Sequence, residues 1–532
     1  MSRAPRRCTR PLAALALAFA LGASAPAVAA PRVAGESGSA MLSGVVFEDT
    51  NGNGVRDAGE PGIAGVRLSN GRDLVASAAD GSYRIAIRPD APVFAIKPAD
   101  RAVGLRPDGL PALWSSDAAG AFDVALSPRR AAAADEPMQV LLATDPQVKS
   151  ETDVGYYRRD ILEPLRGTDA RLGLVLGDLA DDAPGLYPAL KAAVASALPL
   201  PWLYVPGNHD VDPDAADDAG SLRAFHAHFG PDTFAWEEPG ATFIGLDDIV
   251  AMPGQRPAYV GGLREDQFAF LEAYLPTLPK DRLLVVGAHI PFFDAAKPGD
   301  PPTFRPADRE RLFALLRDFP HVLLVSGHTH RQMHVFHDAA SGWHGAAPLH
   351  EYNVGAACGG FWSGTKDADG IPDSTMSDGT PNGYAVLTVE GGGAYRLAWH
   401  NARDAADTQI GLWVPKVLRR GAYPAWGVYA NVYMGFDGAR VEYRVDGGAW
   451  KPMRQVLQPD PRLLAENAKD DTADALRGYD RSVEATPSRH LWRGTLATDL
   501  AVGEHRVEVR WFDPWRGEQS AATSYRLDDA TP

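Results

Sequence analysis

Between Met138 and His330, five short apolar runs each lead into a residue that can bind a metal ion, and this pairing restricts the chain more than any other feature. Val140-Leu-Leu-Ala-Thr leads into Asp145, and Leu172-Gly-Leu-Val-Leu into Gly177-Asp178. Trp202-Leu-Tyr-Val-Pro leads into Gly207-Asn208-His209-Asp210, Leu283-Leu-Val-Val-Gly-Ala into His289, and Val322-Leu-Leu-Val-Ser into Gly327-His328-Thr329-His330. Continuous apolar runs of this length read as strands buried on both faces. Stretches with helical character alternate with them at 156–165, 186–198, 264–278 and 308–319, and a further apolar run stands at 243–246. Alternating strand and helix predicts an α/β domain with mostly parallel pairing, spanning 138–400 once strands at 384–389 and 395–400 are added. In an open α/β sheet, ligands bind beyond the carboxyl ends of the strands, which is where every motif stands.

The flanking regions read differently. Residues 38–128 show short strands at 42–47, 65–68, 82–87, 93–97 and 122–126 between Gly, Asp and Pro turns, which predicts a small β-sandwich module. An alanine run at 131–134 reads as a linker. Residues 405–530 return to a β pattern, with strands near 428–433, 440–445, 493–497 and 506–512, and predict a C-terminal β-sandwich domain.

The first 29 residues read as a secretory signal peptide. Arg3, Arg6, Arg7 and Arg10 precede an apolar run, and Ala27-Val28-Ala29 fits a small-residue cleavage site. That run is too short to span a bilayer, and no later stretch is apolar enough, so a soluble periplasmic or secreted protein is expected. Of the two cysteines, Cys8 lies in the leader, so Cys358 has no intrachain partner after cleavage. The formal charge of -16 argues against nucleic acid held by bulk charge. An acidic protein that handles phosphate needs local positive charge, which metal ions supply.

Carboxylate, amide oxygen and imidazole are all ligands for first-row metals, and two aspartates, one asparagine and three histidines exceed the needs of one ion. A bridging carboxylate would let two ions share the site. Glycines before Asp178, Asn208 and His328 allow sharp turns and close backbone approach. As an ordered set these motifs resemble the calcineurin-like metallophosphoesterase family. The resemblance implies a four-layer domain of two mixed sheets flanked by helices, with a dinuclear centre of Mn, Fe, Zn or Mg. By position, one metal would take Asp145, Gln147, Asp178 and His330. The second would take Asp178 as bridge, with Asn208, His289 and His328. A hydroxide held between the ions would attack phosphorus; His209 would serve the leaving oxygen as proton donor, and Asp210 would orient His209. Gln147 departs from the pattern, which usually has His there, and shifts the expected preference toward Mn or Mg.

A second constellation lies in the N-terminal module. Asp49, Asn51, Asn53, Val55, Asp57 and Glu60 fit the spacing of a calcium loop, with Gly54 at the sharp turn. The flanks read as strands, so the loop resembles the calcium-binding turn of B-type β-sandwich repeats, where calcium is structural. A Gly- and Asp-rich loop over 350–384 is expected to line the substrate cleft, with Trp362 stacking on a base or sugar and Asn382 nearby; His226 is the third candidate substrate contact. The substrate is expected to be a small phosphoester or a phosphorylated macromolecule. Two other readings fit the chain: a cell-surface binding protein with a vestigial phosphoesterase domain, and a nucleotide-sugar diphosphatase.

Overall fold

The computed structural model describes residues 40–115, 120–129, 136–297, 299–405, 407–423 and 426–530. The leader and the alanine linker lie outside the described residues. Among those described, no helix is long and apolar enough to cross a membrane.

The N-terminal region forms two four-stranded sheets. One runs Ser82–Ala86, Met41–Glu48, Val124–Pro128, Arg101–Val103, and the other Leu74–Ala76, Arg67–Ser69, Val93–Ala95, Trp114–Ser115. Alternation accounts for the first: Leu42, Tyr83, Ile85, Val124 and Leu126 point inward and are buried.

The central region holds two mixed sheets. The first has strand order Trp202–Val205, Leu172–Leu176, Met138–Ala143, Gly383–Val389, Tyr395–Asn401. Its first three strands are parallel, and the last two close it antiparallel. The second runs Phe234–Glu237, Ala241–Gly245, Leu283–Gly287, Val322–Ser326, Leu349–Asn353, Met333–His337, with parallel pairing among the middle four. The two sheets meet face to face: a Cβ on Gly287 would stand only 3.0 Å from Leu176 and 3.3 Å from Leu174. Four of the five motif-bearing runs are strands buried along almost their whole length, and the fifth, Trp202–Val205, is half-buried only at Leu203. Hydrophobic burial at about 25 cal/mol per Å² thus fixes the strand ends from which the chemical residues emerge.

Several elements differ from the sequence reading. The first helix starts earlier, at Glu151–Tyr157, because Ser150 caps it by accepting from the Asp153 amide, and the turns that continue it to Leu165 carry Pro164. Leu349–Asn353 is a fully buried central strand, so the segment expected to be loop from residue 350 begins inside the sheet. A helix, Pro461–Asp471, interrupts the C-terminal region; Asp460 caps it by accepting from the Arg462 amide, and Pro461 sits in its first turn. Around it stand a four-stranded sheet (Ile410–Trp413, Gly427–Val432, Leu491–Thr495, Arg454–Gln455) and a five-stranded one built on the long hairpin Gly503–Asp513 and Gly517–Asp528.

Candidate metal centre

The loops leaving the motif strands converge on one buried cluster. His289 Nε2 lies 3.2 Å from Asp178 Oδ2, 3.2 Å from Asn208 Oδ1 and 3.2 Å from His328 Nδ1. His330 Nε2 lies 3.3 Å from Asp145 Oδ1. Asp178, His289 and His328 present ligand atoms all within 4.8 Å of one another. The backbone joins the two halves: the His328 amide donates to Asp145 Oδ2 at 3.1 Å, and the His209 amide to Asp178 Oδ1 at 2.8 Å.

Asp145, Gln147, Asp178, His328 and His330 all have positive φ, between 39° and 70°. Each costs of order 1–3 kcal/mol for a residue with a side chain, and such strain collects where function demands a fixed geometry. Gly177, at φ 85°, is required sterically, since a Cβ there would stand 2.5 Å from His289 Nδ1. Gly327 is required as well, because its Cβ would overlap Thr144 Oγ1.

The imidazoles are oriented from behind. His289 Nδ1 meets the Leu176 carbonyl at 2.7 Å, and His330 Nδ1 meets the Gly359 carbonyl at 2.8 Å. Such contacts fix the tautomer and leave Nε2 as the ligating atom. Gln147 is buried; its amide nitrogen donates to Asp181 Oδ1 at 3.1 Å, and its Oε1 accepts from the weak thiol donor of Cys358 at 3.9 Å. Asp145 Oδ1 is buried yet accepts no hydrogen bond. An orphaned carboxylate oxygen among imidazoles and an amide oxygen fits a site for metal ions.

Electrostatics agree with that fit. Burial alone would favour neutral Asp145 and Asp178, but His330 and His289 beside them outweigh it and hold both carboxyls below the usual range. Against burial, Asp178 pushes His289 up to about 10. Burial, reinforced by His289, takes His328 down to about 4. Protons therefore stand where cations would, and metal binding would release them.

His209 stands beside this cluster, 29% exposed, with Nδ1 3.0 Å from Asp182 Oδ1 and 3.2 Å from Asp181 Oδ1. Asp210 does not orient it, contrary to the sequence reading. The Asp210 carboxylate is buried, accepting from the Leu179 and Gly207 amides and, at 2.9 Å, from the Tyr187 hydroxyl. It ties the Asn208 loop to the Asp178 loop. The Asp181–Asp182 pair was missed; its signal was its place three and four residues after Asp178 in the same loop.

The three expected substrate contacts lie outside the cluster. Trp362 is 2% exposed and donates its indole N–H to the Pro146 carbonyl at 2.9 Å, so it braces the Asp145 loop and offers no stacking face. Asn382 is fully buried and donates to Asp160 and to the Ala357 carbonyl. His226 sits on the short helix Arg223–Phe229 near Asp232. Two other aromatics reach the site: Phe361, 44% exposed, with its ring centroid 4.6 Å from that of His330, and Tyr259, edge-on to His328 at 6.1 Å. Cys358 is buried against His330, 3.8 Å from its Nδ1.

In the N-terminal loop, Asp49 accepts backbone amides of Gly52, Asn53 and Gly54, and Glu60 accepts those of Thr50 and Asp57. Asn51 and Asn53 donate to Asp57 Oδ2 at 2.7 and 2.9 Å, while the Val55 side chain is exposed.

Comparison with known families agrees with this site. Residues 138–332 match the family model described as calcineurin-like phosphoesterase, and 351–518 match the model of its C-terminal domain; together they take in more than half of the chain. The chain belongs to the calcineurin-like phosphoesterases. It is a phosphoester hydrolase of that family, and its candidate ligands suit the divalent ions such enzymes use. A curated relative, "Probable glycerophosphodiester phosphodiesterase GpdQ" of Arcobacter nitrofigilis, is 25% identical over 204 residues, 36% of this chain and 72% of that protein. Two solved structures give weak overlays. Purple acid phosphatase PPD1 from yellow lupin (Lupinus luteus) seeds has a TM-score of 0.35 at 15% identity, covering 64% of this chain and 68% of that one. GAP50, the anchor in the inner membrane complex of Plasmodium, has 0.33 at 11%, covering 50% and 85%.

Proposed function

We propose that this calcineurin-like phosphoesterase hydrolyses phosphate esters at a two-metal centre outside the cytoplasm. The observation that carries this reading is the cluster of Asp178, His289 and His328, tied through the His328 amide to Asp145, which lies 3.3 Å from His330. Asp145, Gln147, Asp178 and His330 would hold one ion, and Asp178, Asn208, His289 and His328 the other. Bound there, the ions would supply Lewis acidity and an activated water.

The chain's own residues do the rest. Asp181 and Asp182 take up His209 Nδ1, so that Nε2 is the nitrogen that gives a proton to the leaving oxygen. The Gln147 oxygen, less basic than an imidazole nitrogen, favours Mn or Mg in its half of the site. The N-terminal loop would carry a structural calcium on Asp49, Asn51, Asn53, the Val55 carbonyl, Asp57 and Glu60. Export rests on the arginine-rich leader and the apolar run after it.

The name of the curated relative makes a phosphodiester the first substrate to try. Hydrolysis of bis-p-nitrophenyl phosphate, p-nitrophenyl phosphate and a nucleoside diphosphosugar by metal-loaded protein separates diesterase, monoesterase and diphosphatase. Absence of turnover on all three, with no transition metal retained, would favour a vestigial domain in a binding protein.

A further inference from the structure

Next to His328 the site opens into a cavity of about 440 Å³ that the C-terminal region helps to wall. Its lining combines His328, Thr329 and Arg331 with Leu457, Pro487 and Arg489. Two guanidinium groups thus border a space continuous with a ligand of the metal centre. Neither Arg331 nor Arg489 forms an ion pair among the described residues. Arg331 is steadied by neutral oxygens only, Thr486 Oγ1 at 3.1 Å and Ser377 Oγ at 3.4 Å. Those two bonds leave further guanidinium N–H donors for another partner. Arg489 is exposed, and its one described bond uses its backbone carbonyl, which accepts from Gln455.

The carboxylates that border the same cavity are already occupied. Asp378 accepts from the Gln332 and Thr380 amides and lies 3.0 Å from His490 Nε2, buried. Asp294 is turned onto the amides of its own turn, Ala296 at 3.0 Å and Thr303 at 3.3 Å. In a chain with 68 acidic and 52 basic residues, two arginines without a carboxylate partner in one cavity leave guanidinium donors open to an anion. Arginine matches phosphate and carboxylate through paired N–H donors.

We infer that the cleft between the central and C-terminal regions is an anion subsite, and that the substrate is a phosphoester carrying a second anionic group remote from the scissile phosphorus. Arg331 and Arg489 hold that second group while the metal centre holds the first. This rests on the two-metal reading above, and it gives the C-terminal region a part in substrate choice.

Phosphonates, which are not hydrolysed, test the subsite without turnover. Calorimetric titration of the Mn-loaded full chain would compare methylphosphonate with the α,ω-diphosphonates from ethylene to hexylene, and with the matching ω-carboxyalkyl phosphonates. At least one two-anion probe should bind about tenfold or more tighter than methylphosphonate, the scale of one charge-assisted pair. Whether the diphosphonate or the carboxylate series gains more identifies the second group as phosphate or carboxylate. Arg489→Gln and Arg331→Gln should each erase most of that gain and leave methylphosphonate affinity within about twofold. Equal affinity for every probe in the parent protein, or a gain that survives both variants, overturns the subsite. Turnover of the three esters named above, measured alongside, keeps the two readings apart. Turnover without the preference removes the subsite alone, and the preference with no turnover of any of the three removes the hydrolytic reading alone.

Discussion

His209 and Asp210 are neighbours in sequence with opposite surroundings. They sit in a tight turn over Asn208–Asp210, where successive side chains diverge by about 120°. One side chain therefore faces the site while the next is buried under the Asp178 loop. The two should separate experimentally. His209→Ala should lower kcat by about 10²–10⁴-fold while metal content stays that of the parent, measured by steady-state kinetics with elemental analysis. Asp210→Ala should act first on stability, because it strands the amides of Leu179 and Gly207 and the Tyr187 hydroxyl; an unchanged melting temperature would contradict that role. Asp182→Asn frees one side of the His209 ring and should lower kcat by less than His209→Ala does, without loss of metal, in the same assays. The protonated His289 and the ionised Asp178 of the metal-free site also fix a sign for metal uptake. Affinity should fall as pH falls, since protons and cations compete for the same imidazole, and a Mn titration at two pH values reads it.

At the scale of elements, the motif strands were legible because a strand buried on both faces must be apolar throughout, and its end then marks itself by the first polar residue. The candidate ligands Asp145, Asp178, Asn208, His289 and His328 come together because each follows directly on a rigid strand end. Gly177 shows how little tolerance remains: Gly177→Ala should cost about 1–3 kcal/mol and disturb His289, read as a lower melting temperature with weakened metal binding. Less of the segment after His330 was legible. Leu349–Asn353 carries His350, Glu351 and Asn353, polar types that hide a buried strand, and Trp362 gives no sign in sequence that its indole is spent on the Pro146 carbonyl. His350 is part of a stack that includes His334 and reaches Trp515 of the C-terminal hairpin. Its Nε2 lies 2.9 Å from His334 Nδ1, and its Nδ1 lies 2.6 Å from the Tyr395 hydroxyl. Burial takes His350 down to about 3. The unfolded chain takes up that proton near pH 6.5 and the folded one does not, so this contribution is whole above that pH and is lost as pH falls toward 3. By pH 5 the loss is about 2 kcal/mol. Urea midpoints at pH 7.5 and 5 should therefore fall less for His350→Phe than for the parent.

Across the whole molecule, the C-terminal region is joined to the central one by buried polar bonds. His490 bridges Asp378 and Asn431, and Asn431 in turn donates to Asp460 and to the Asp378 carbonyl. Cutting such a network leaves uncompensated buried groups on both sides. Removal of 405–530 should therefore leave no cooperatively folded central domain, read by calorimetry. The helix Pro461–Asp471 was not legible because Asp460 and Pro461, its cap and first turn, also read as turn residues between strands. A two-metal phosphoesterase is checked by metal content from elemental analysis and bis-p-nitrophenyl phosphate turnover on the same samples of parent and Asp178→Asn. About two transition-metal ions per parent chain with metal-dependent turnover are expected, and loss of metal and turnover together in the variant. Full turnover in Asp178→Asn, or a parent that turns over without retaining any metal, would contradict it.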